Sequence, residues 1–193
     1  MRFAFEISFM VFWIITCIIR YPFAKRNKSN QIEKDKKDTQ EKWLLALASL
    51  GMILFPVLYF ATPWLDFANY YLPNVLAFMG LLLLPPAGIL FYKSHSDLGR
   101  NWSASLEIRD KHTPVSSGIY KYIRHPMYTA IWLWVIGQAL LLQNYIGGLS
   151  GLLSFGLLYF LRVQKEEQMM VSQFGNQYVA YKQKTKRLIP YLF

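Results

Sequence analysis

The run RHPMYTAIWLWVIGQALLLQNYIGGLSGLLSFGLLYFLRVQKEE, from Arg124 to Glu167, decides how this chain is read. Between His125 and Arg162 it holds no Asp, Glu, Lys or Arg. A membrane-crossing helix needs about 20 mainly apolar residues, with a usable range of roughly 17–25. The run therefore divides into two short spans, Pro126–Leu142 and 146–161. Only Gln143, Asn144 and Tyr145 join them, which predicts a tight antiparallel hairpin. Pro126 suits the first turn of its helix, where a missing N–H costs nothing. Gly147 and Gly151 form a small-xxx-small pair that lets helix backbones approach closely.

Three more spans are expected upstream: 3–19, 43–61 and 72–92. Pro56 should kink the second, and Pro85-Pro86 should break the third. The composition agrees, since 54% of the 193 residues are hydrophobic and lie in long blocks. The first run ends in Ile18-Ile19-Arg20-Tyr21-Pro22, too bulky for a signal-peptide cleavage site, and reads as a retained span. The single cysteine, Cys17, excludes a disulfide within the chain.

The formal net charge of +10 has a membrane explanation rather than a nucleic-acid one. The basic residues sit between apolar blocks, in 25–42, in 93–124 and in the tail after Arg162. The connection 62–71 carries only Asp66, and the hairpin turn carries no charge. Five crossings put all three basic segments on one side, as the positive-inside rule requires, with the N-terminus outside and the C-terminus cytoplasmic. The expected fold class is thus all-α: a polytopic membrane protein of about five transmembrane helices. Residues 1–92 supply the first three spans and a basic cytoplasmic loop (24–42). Residues 93–193 supply a long cytoplasmic loop, the transmembrane hairpin 126–161 and a C-terminal helical tail. The 93–125 loop and the C-terminal tail, with a break at Gly175, are expected to form one cytoplasmic cap. The loop is too rich in apolar residues for disorder. The 27–41 run reads as a solvated loop or a helix extension.

Several common sites are excluded. There is no Gly-x-Gly-x-x-Gly and no P-loop. The three histidines, His95, His112 and His125, lack zinc-ligand spacing, so no metal is expected. Two features remain. Arg124 and His125 precede Pro126 and so sit at a helix N-terminus, whose partial positive charge attracts carboxylates. Interfacial anchoring explains such a cluster equally simply. Arg162 and Glu166, four apart, share a face where the last span leaves the membrane. A snorkelling Arg162 with a surface partner explains the pair. Acids near a helix C-terminus oppose its dipole, and basic-before-acidic is the weaker order, so a role in function stands beside that explanation.

Six segments in order carry a resemblance: 98–103 (LGRNWS), 112–115 (HTPV), 118–120 (GIY), 124–128 (RHPMY), Glu166-Glu167, and 174–181 (FGNQYVAY). Together they resemble the isoprenylcysteine carboxyl methyltransferase family and its prokaryotic relatives, over roughly 95–190. The resemblance implies a cytoplasmic S-adenosyl-L-methionine pocket. Its cofactor-binding residues would be His112, Thr113, Pro114, Val115, Tyr120, His125, Pro126, Met127, Tyr128 and Glu166, with Glu107 as a further contact. It implies that Arg162 binds the substrate, and that Arg162 and Glu166 are the catalytic pair. Pro114 departs from the family's more usual leucine, which stiffens that loop. The stretch between Asn101 and His112 is shorter than in the eukaryotic enzymes.

The implied reaction moves a methyl group from S-adenosylmethionine to the carboxylate of an isoprenylated cysteine or similar lipid-like substrate. A carboxylate is ionised at neutral pH and needs no general base, so positioning and desolvation suffice. The lipid tail is expected to enter sideways between helices, near the third to fifth spans. Two alternatives stay open. A phospholipid amine acceptor would need Glu166 or Glu167 as a base with a raised pKa. A sterol-reductase-like protein would use Lys182, Lys184, Lys186 and Arg187 for the extra phosphate of NADPH. The partners expected are the prenylated or lipid-like substrate and membrane lipids, without nucleic acid or an obligate protein partner.

Overall fold

The computed structural model describes residues 1–27, 32–35, 39–99, 107–109 and 115–192. Helix α1 (Arg2–Asn27) is followed by the short strand β1 (Ile32–Asp35) and by α2 (Thr39–Ser49). A π turn, Leu50–Leu54, leads directly into α3 (Phe55–Ala61). Then come α4 (Asn74–Leu98), strand β2 (Glu107–Arg109), α5 (Pro126–Leu142), α6 (Leu149–Phe174) and α7 (Asn176–Lys184). The fold is helical, as expected. The exception is a two-stranded antiparallel ribbon that pairs Ile32 with Arg109, Lys34 with Ile108 and Asp35 with Glu107. It ties together the two loops that the sequence placed on one side.

Among the described residues, three helical stretches are long and apolar enough to cross a membrane: Arg2–Arg26, Thr39–Ala61 and Asn74–Leu98. They correspond to the first three expected spans, extended at both ends or at one. Their outward faces carry Ile7, Val11, Ile14 and Ile18 on α1, and Val75, Phe78, Met79 and Leu82 on α4, all exposed. Water does not tolerate such continuous apolar faces, whereas lipid does. The protein is a multi-pass integral membrane protein.

Helix α5 is the central post. Ten of its residues are buried, on all sides, as suits a helix apolar all round. One face meets Phe5, Phe9 and Phe12 of α1 and Leu84, Ala87 and Phe91 of α4, through Ala130, Trp134 and Leu141. The other meets Leu44 and Ala48 of α2 and Phe155, Leu158 and Val163 of α6, through Tyr128 and Val135. With only 17 residues, α5 depends on these neighbours for its environment.

Both proline expectations change in form. Pro85 and Pro86 do not break α4, which runs unbroken from Asn74 to Leu98. Its packing along α5 and α1 holds the helix where two backbone donors are missing. Pro56 leaves its helix continuous as well, but the preceding turn widens to π geometry, with the Phe55 N–H bonding to Leu50 O. The widened turn frees the Gly51 carbonyl, which accepts from Gln138 Nε2 and from Ser150 Oγ, each at 3.0 Å.

The hairpin turn is longer than expected, because α6 starts at Leu149 rather than at Ile146. Gly147 therefore precedes the helix. Its role in close packing still holds: a Cβ there would lie 3.0 Å from Tyr59, and one on Gly151 would lie 2.6 Å from Gln138. The two connections without basic residues lie side by side, as the charge pattern required. Asn144 Nδ2 donates to Leu65 O and Asn69 Oδ1 at 2.7 and 2.9 Å, and Tyr145 N donates to Ala68 O at 2.8 Å. Arg2 joins them, donating to Asn69 Oδ1 at 2.6 Å and to Tyr59 OH at 2.8 Å.

Candidate active site

At the other end of the bundle, the chain enters α5 through a 3-10 turn, Gly118–Lys121. Gly118 has φ +60°, and a Cβ there would collide with the Asp97 carboxylate. That close approach lets Asp97 Oδ2 accept from the Ile119 N–H at 2.8 Å, pinning the turn to the end of α4. Tyr120 is thereby buried, its hydroxyl donating to Ser94 O at 3.4 Å. Tyr181 of α7 covers it, donating to Tyr120 O at 2.6 Å. Burial pushes the Tyr181 hydroxyl pKa up to about 12, so it remains a donor throughout the physiological range.

His125 caps α5 and Pro126 takes its first position, as the sequence indicated. The His125 ring stacks on Tyr128 with centroids 5.3 Å apart. Tyr128 OH donates to Glu166 Oε2 at 2.5 Å, and Glu166 Oε1 lies 3.8 Å from His125 Nδ1. Arg162, one turn earlier on α6, has its Nε 3.9 Å from Glu166 Oε2. The start of α5 and the C-terminal half of α6 thus converge, and Tyr128, His125, Glu166 and Arg162 stand together.

The adjacent acids differ. The Glu166 side chain keeps 29% exposure, so it can reach a ligand. Glu167 is enclosed by three cations, Arg124 Nε at 3.1 Å, Lys182 Nζ at 3.0 Å and Arg187 Nη2 at 3.1 Å, and by the His125 ring, with Nε2 at 3.3 Å. Burial alone pushes its pKa up, but hydrogen bonds from His125, Arg187 and Lys182 outweigh that and hold it far below the ordinary carboxylate range. Glu167 therefore cannot act as the raised-pKa base that an amine acceptor would require. Two of the four cations suggested for an NADPH phosphate, Lys182 and Arg187, are likewise committed to Glu167.

Glu167 also fastens the tail over the α5 entrance. Arg124 Nη1 reaches Lys182 O at 3.1 Å and also Thr185 O. The Arg124 and His125 amides donate to Lys186 O and Arg187 O at 2.8 and 3.0 Å. Thr129 Oγ1 donates to Leu188 O at 2.8 Å. These bonds tie the tail to the two residues before the helix and to its first turn.

A cavity of about 200 Å³ leads from Arg162 and Tyr128 into the bundle. Its walls are mostly apolar and include Met52 and Ile53 of the π turn, Ile131 and Trp134 of α5, and Phe155 and Leu158 of α6. It lies between α1, α2, α4, α5 and α6, so the first two spans, silent in motif terms, also build it. Met127 is on its wall, and Pro126 is fully buried behind it. Val115 is half-buried ahead of the Gly118 turn. His112, Thr113 and Pro114 lie outside the described residues, as does the Glu107 side chain; the Glu107 backbone is in β2.

Sequence reasoning passed over two contributors. One is the cationic cage around Glu167, whose members are far apart in the chain. The other is Glu41, buried in the first turn of α2, with Oε1 3.6 Å from Arg162 Nη1. An acid in a helix's first turn is ordinarily explained by the macrodipole, so position alone does not single it out.

The donor set fits a sulfonium cofactor on geometric grounds. A partly exposed carboxylate, a histidine and a tyrosine share one polar corner, able to accept from hydroxyl and ammonium groups. An apolar cavity opens beside it.

Known proteins bear on this arrangement. Residues 78–172 match the profile of the isoprenylcysteine carboxyl methyltransferase (ICMT) family. The human protein-S-isoprenylcysteine O-methyltransferase is 30% identical over 138 residues, covering 67% of this chain and 49% of its own length. The Schizosaccharomyces pombe protein of that name is 37% identical over 79 residues, covering 41% of this chain and 34% of its own. The chain spans about half the length of the human relative. The structure of a eukaryotic intramembrane Ras methyltransferase, ICMT, superposes with a TM-score of 0.52 at 24% identity, over 81% of this chain and 54% of that one. That likeness shows a shared membrane fold. The family profile lies over most of α4, α5 and most of α6, where the polar corner and the cavity meet, and over that stretch this chain resembles the isoprenylcysteine carboxyl methyltransferase family.

Proposed function

We propose that the protein methylates the carboxylate of an isoprenylated cysteine, or of a similar lipid-borne acid, with S-adenosyl-L-methionine as donor, at the cytoplasmic face of the membrane. The observation that carries this reading is the position of Arg162. It stands at the polar end of an apolar intramembrane cavity, one helical turn from Glu166.

The physical logic favours head-group recognition. A prenyl tail leaving lipid for a protein cavity gains little, because lipid chains are as apolar as leucine. Specificity must then come from the cavity's shape and from its charged end. Arg162 can take an acceptor carboxylate in a bidentate grip and fix one oxygen in line with the methyl group. The bound donor supplies an electrophilic methyl group on a positively charged sulfur. Glu166, Tyr128 and His125 hold its polar parts, and Tyr120 and Met127 build the surrounding wall. No residue needs to remove a proton, and the depressed pKa of Glu167 suits that. His112, Thr113, Pro114, Val115 and Glu107 are the further donor contacts in this reading.

The test is transfer of labelled methyl from S-adenosylmethionine to a panel containing N-acetyl-S-farnesylcysteine and phosphatidylethanolamine, with detergent-purified protein. The acid should be methylated and the amine not. Arg162→Ala should abolish transfer while S-adenosylhomocysteine still raises the melting temperature; Glu166→Ala should remove that stabilisation. Labelling of the amine alone, or stabilisation by NADPH instead, overturns the proposal.

A further inference from the structure

Glu41 lies outside the stretch that matches the family profile, yet it reaches the residue on which acceptor binding depends. It is 4% exposed, and its Oε1 is 3.6 Å from Arg162 Nη1. Charge-assisted hydrogen bonds to a guanidinium ordinarily close to about 2.7–2.9 Å. Both carboxylates at Arg162 stand further off, Glu41 at 3.6 Å and Glu166 at 3.9 Å. An acceptor carboxylate arriving at Arg162 thus meets a guanidinium that two acids already share. One of them must yield. Glu166 is anchored by the 2.5 Å bond from Tyr128 and rides on the same helix as Arg162. Glu41 comes from a different helix, in its first turn, next to cavity-lining Leu45 and Ala48.

We propose that Glu41 is a place-holder for the acceptor carboxylate. It occupies the acceptor's seat on Arg162 in the empty enzyme, gives way to the acid, and returns after methylation to release the product. This rests on the reading of Arg162 as the acceptor-binding residue. In the transfer, the carbon–sulfur bond breaks with its electron pair left on sulfur, and an oxygen–methyl bond forms. Sulfonium and carboxylate charges disappear together and no proton moves. The ester has no charge with which to hold Arg162, so Glu41 regains the guanidinium. Glu41 is a positioning residue: it acts through Arg162 and does not touch the reacting atoms.

The experiment compares N-acetyl-S-farnesylcysteine with its methyl ester on the full chain. Glu41→Gln keeps the shape and removes the charge. It should lower the KM for the acid on the order of tenfold, equivalent to about 1.4 kcal/mol. Inhibition by the ester and the KM for the donor should stay within about twofold of wild type, since neither depends on the contested pair. Glu41→Asp, which draws the charge back, should shift the acid-to-ester preference in the same direction by less. Folding of each variant is read from its stabilisation by S-adenosylhomocysteine. An unchanged or reduced preference in a folded variant rejects the place-holder. So does unfolding of both variants, which would make Glu41 a structural counter-ion. Failure of the wild-type chain to methylate the acid at all strikes the Arg162 reading instead, and is seen before any variant is made.

Discussion

At the scale of single residues, Glu166 and Glu167 show how neighbouring side chains on one helix divide labour. A helical step of about 100° turns one toward the polar corner and the other toward the tail. Glu167 gathers cations from the α5 entrance and from the C-terminal tail, so it is a fastener rather than a reactant. Removing the shared carboxylate leaves Arg124 buried without compensation, while Lys182 and Arg187 can turn to water, so the cost falls below the roughly 3–5 kcal/mol of a fully buried pair. Glu167→Gln should therefore lower the melting temperature of the detergent-purified protein and release the tail to limited proteolysis after Gly175. A variant with wild-type melting and tail protection would show that the cage is dispensable. The same carboxyl sets an acid limit. Its folded pKa lies below the ordinary value of 4.5. Its contribution is complete above that value and declines as pH falls below it toward the depressed folded one. Stability measured between pH 7 and pH 3 should drop below about pH 4.5, and the drop should be smaller in Glu167→Gln.

At the scale of elements, the π turn of Leu50–Leu54 is the least ordinary piece, and it lies on the cavity wall. Proline at position 56 cannot donate to the preceding turn, and its ring crowds the carbonyl four residues back. The chain responds by widening, and buried Gln138 and Ser150 take up the released Gly51 carbonyl. Gly51 must be a glycine for this contact. A Cβ would collide with Ser154 Oγ and come within 2.8 Å of the Ser150 carbonyl carbon, which is backbone and cannot swing aside. Gly51→Ala should cost about 1–3 kcal/mol by overpacking. It should also narrow the cavity, so both the melting temperature and the rate with long-chain acceptors fall. Retention of both would mean that α6 shifts freely, against the packing described. The sequence made the helices legible because lipid imposes a length and a composition on anything that spans it. Pro126, the Gln143–Tyr145 turn and the Gly175 break were visible for the same local reasons. The π turn was not, since proline predicts disturbance without its form. The unbroken α4 was not, since only neighbouring helices explain how Pro85 and Pro86 are tolerated. In the candidate site, Arg162 and Glu166 were legible by their spacing. Glu41 and the Glu167 cage depend on contacts between distant segments, which no periodicity reports.

At the scale of the whole molecule, the helices differ in reach. At 1.5 Å per residue, α4 is about 37 Å long and α5 about 25 Å, against a hydrocarbon core of about 30 Å. Both start or end beside the same turns without basic residues, where Tyr70 OH donates to Ala139 O at 2.6 Å. The long helix therefore overshoots the core at the far end while the short one stops inside it. The α5 entrance, with His125, Tyr128 and the mouth of the cavity, is thus recessed relative to the end of α4. In the proposed reaction a lipid-borne acid would approach this recess from the membrane, and the soluble donor from the side of the C-terminal tail. This geometry works in a cell only if the recessed end faces the cytoplasm. The charges favour that orientation: Lys25, Arg26, Lys93, Lys121, Lys182, Lys184 and Lys186 cluster on the site side. At the opposite end Arg2 is already paired with Glu6 at 2.9 Å. Basic residues flanking spans are retained on the cytoplasmic side. A fluorescent protein fused after Phe193 should then be bright, and alkaline phosphatase fused there inactive; phosphatase inserted in the 69–72 turn should be active. The reverse pattern would put the polar corner on the side that lacks the donor. Neutralising Lys25, Arg26 and Lys93 together should weaken the bias and yield mixed reporter signals, because orientation follows the sum of these charges rather than any one of them.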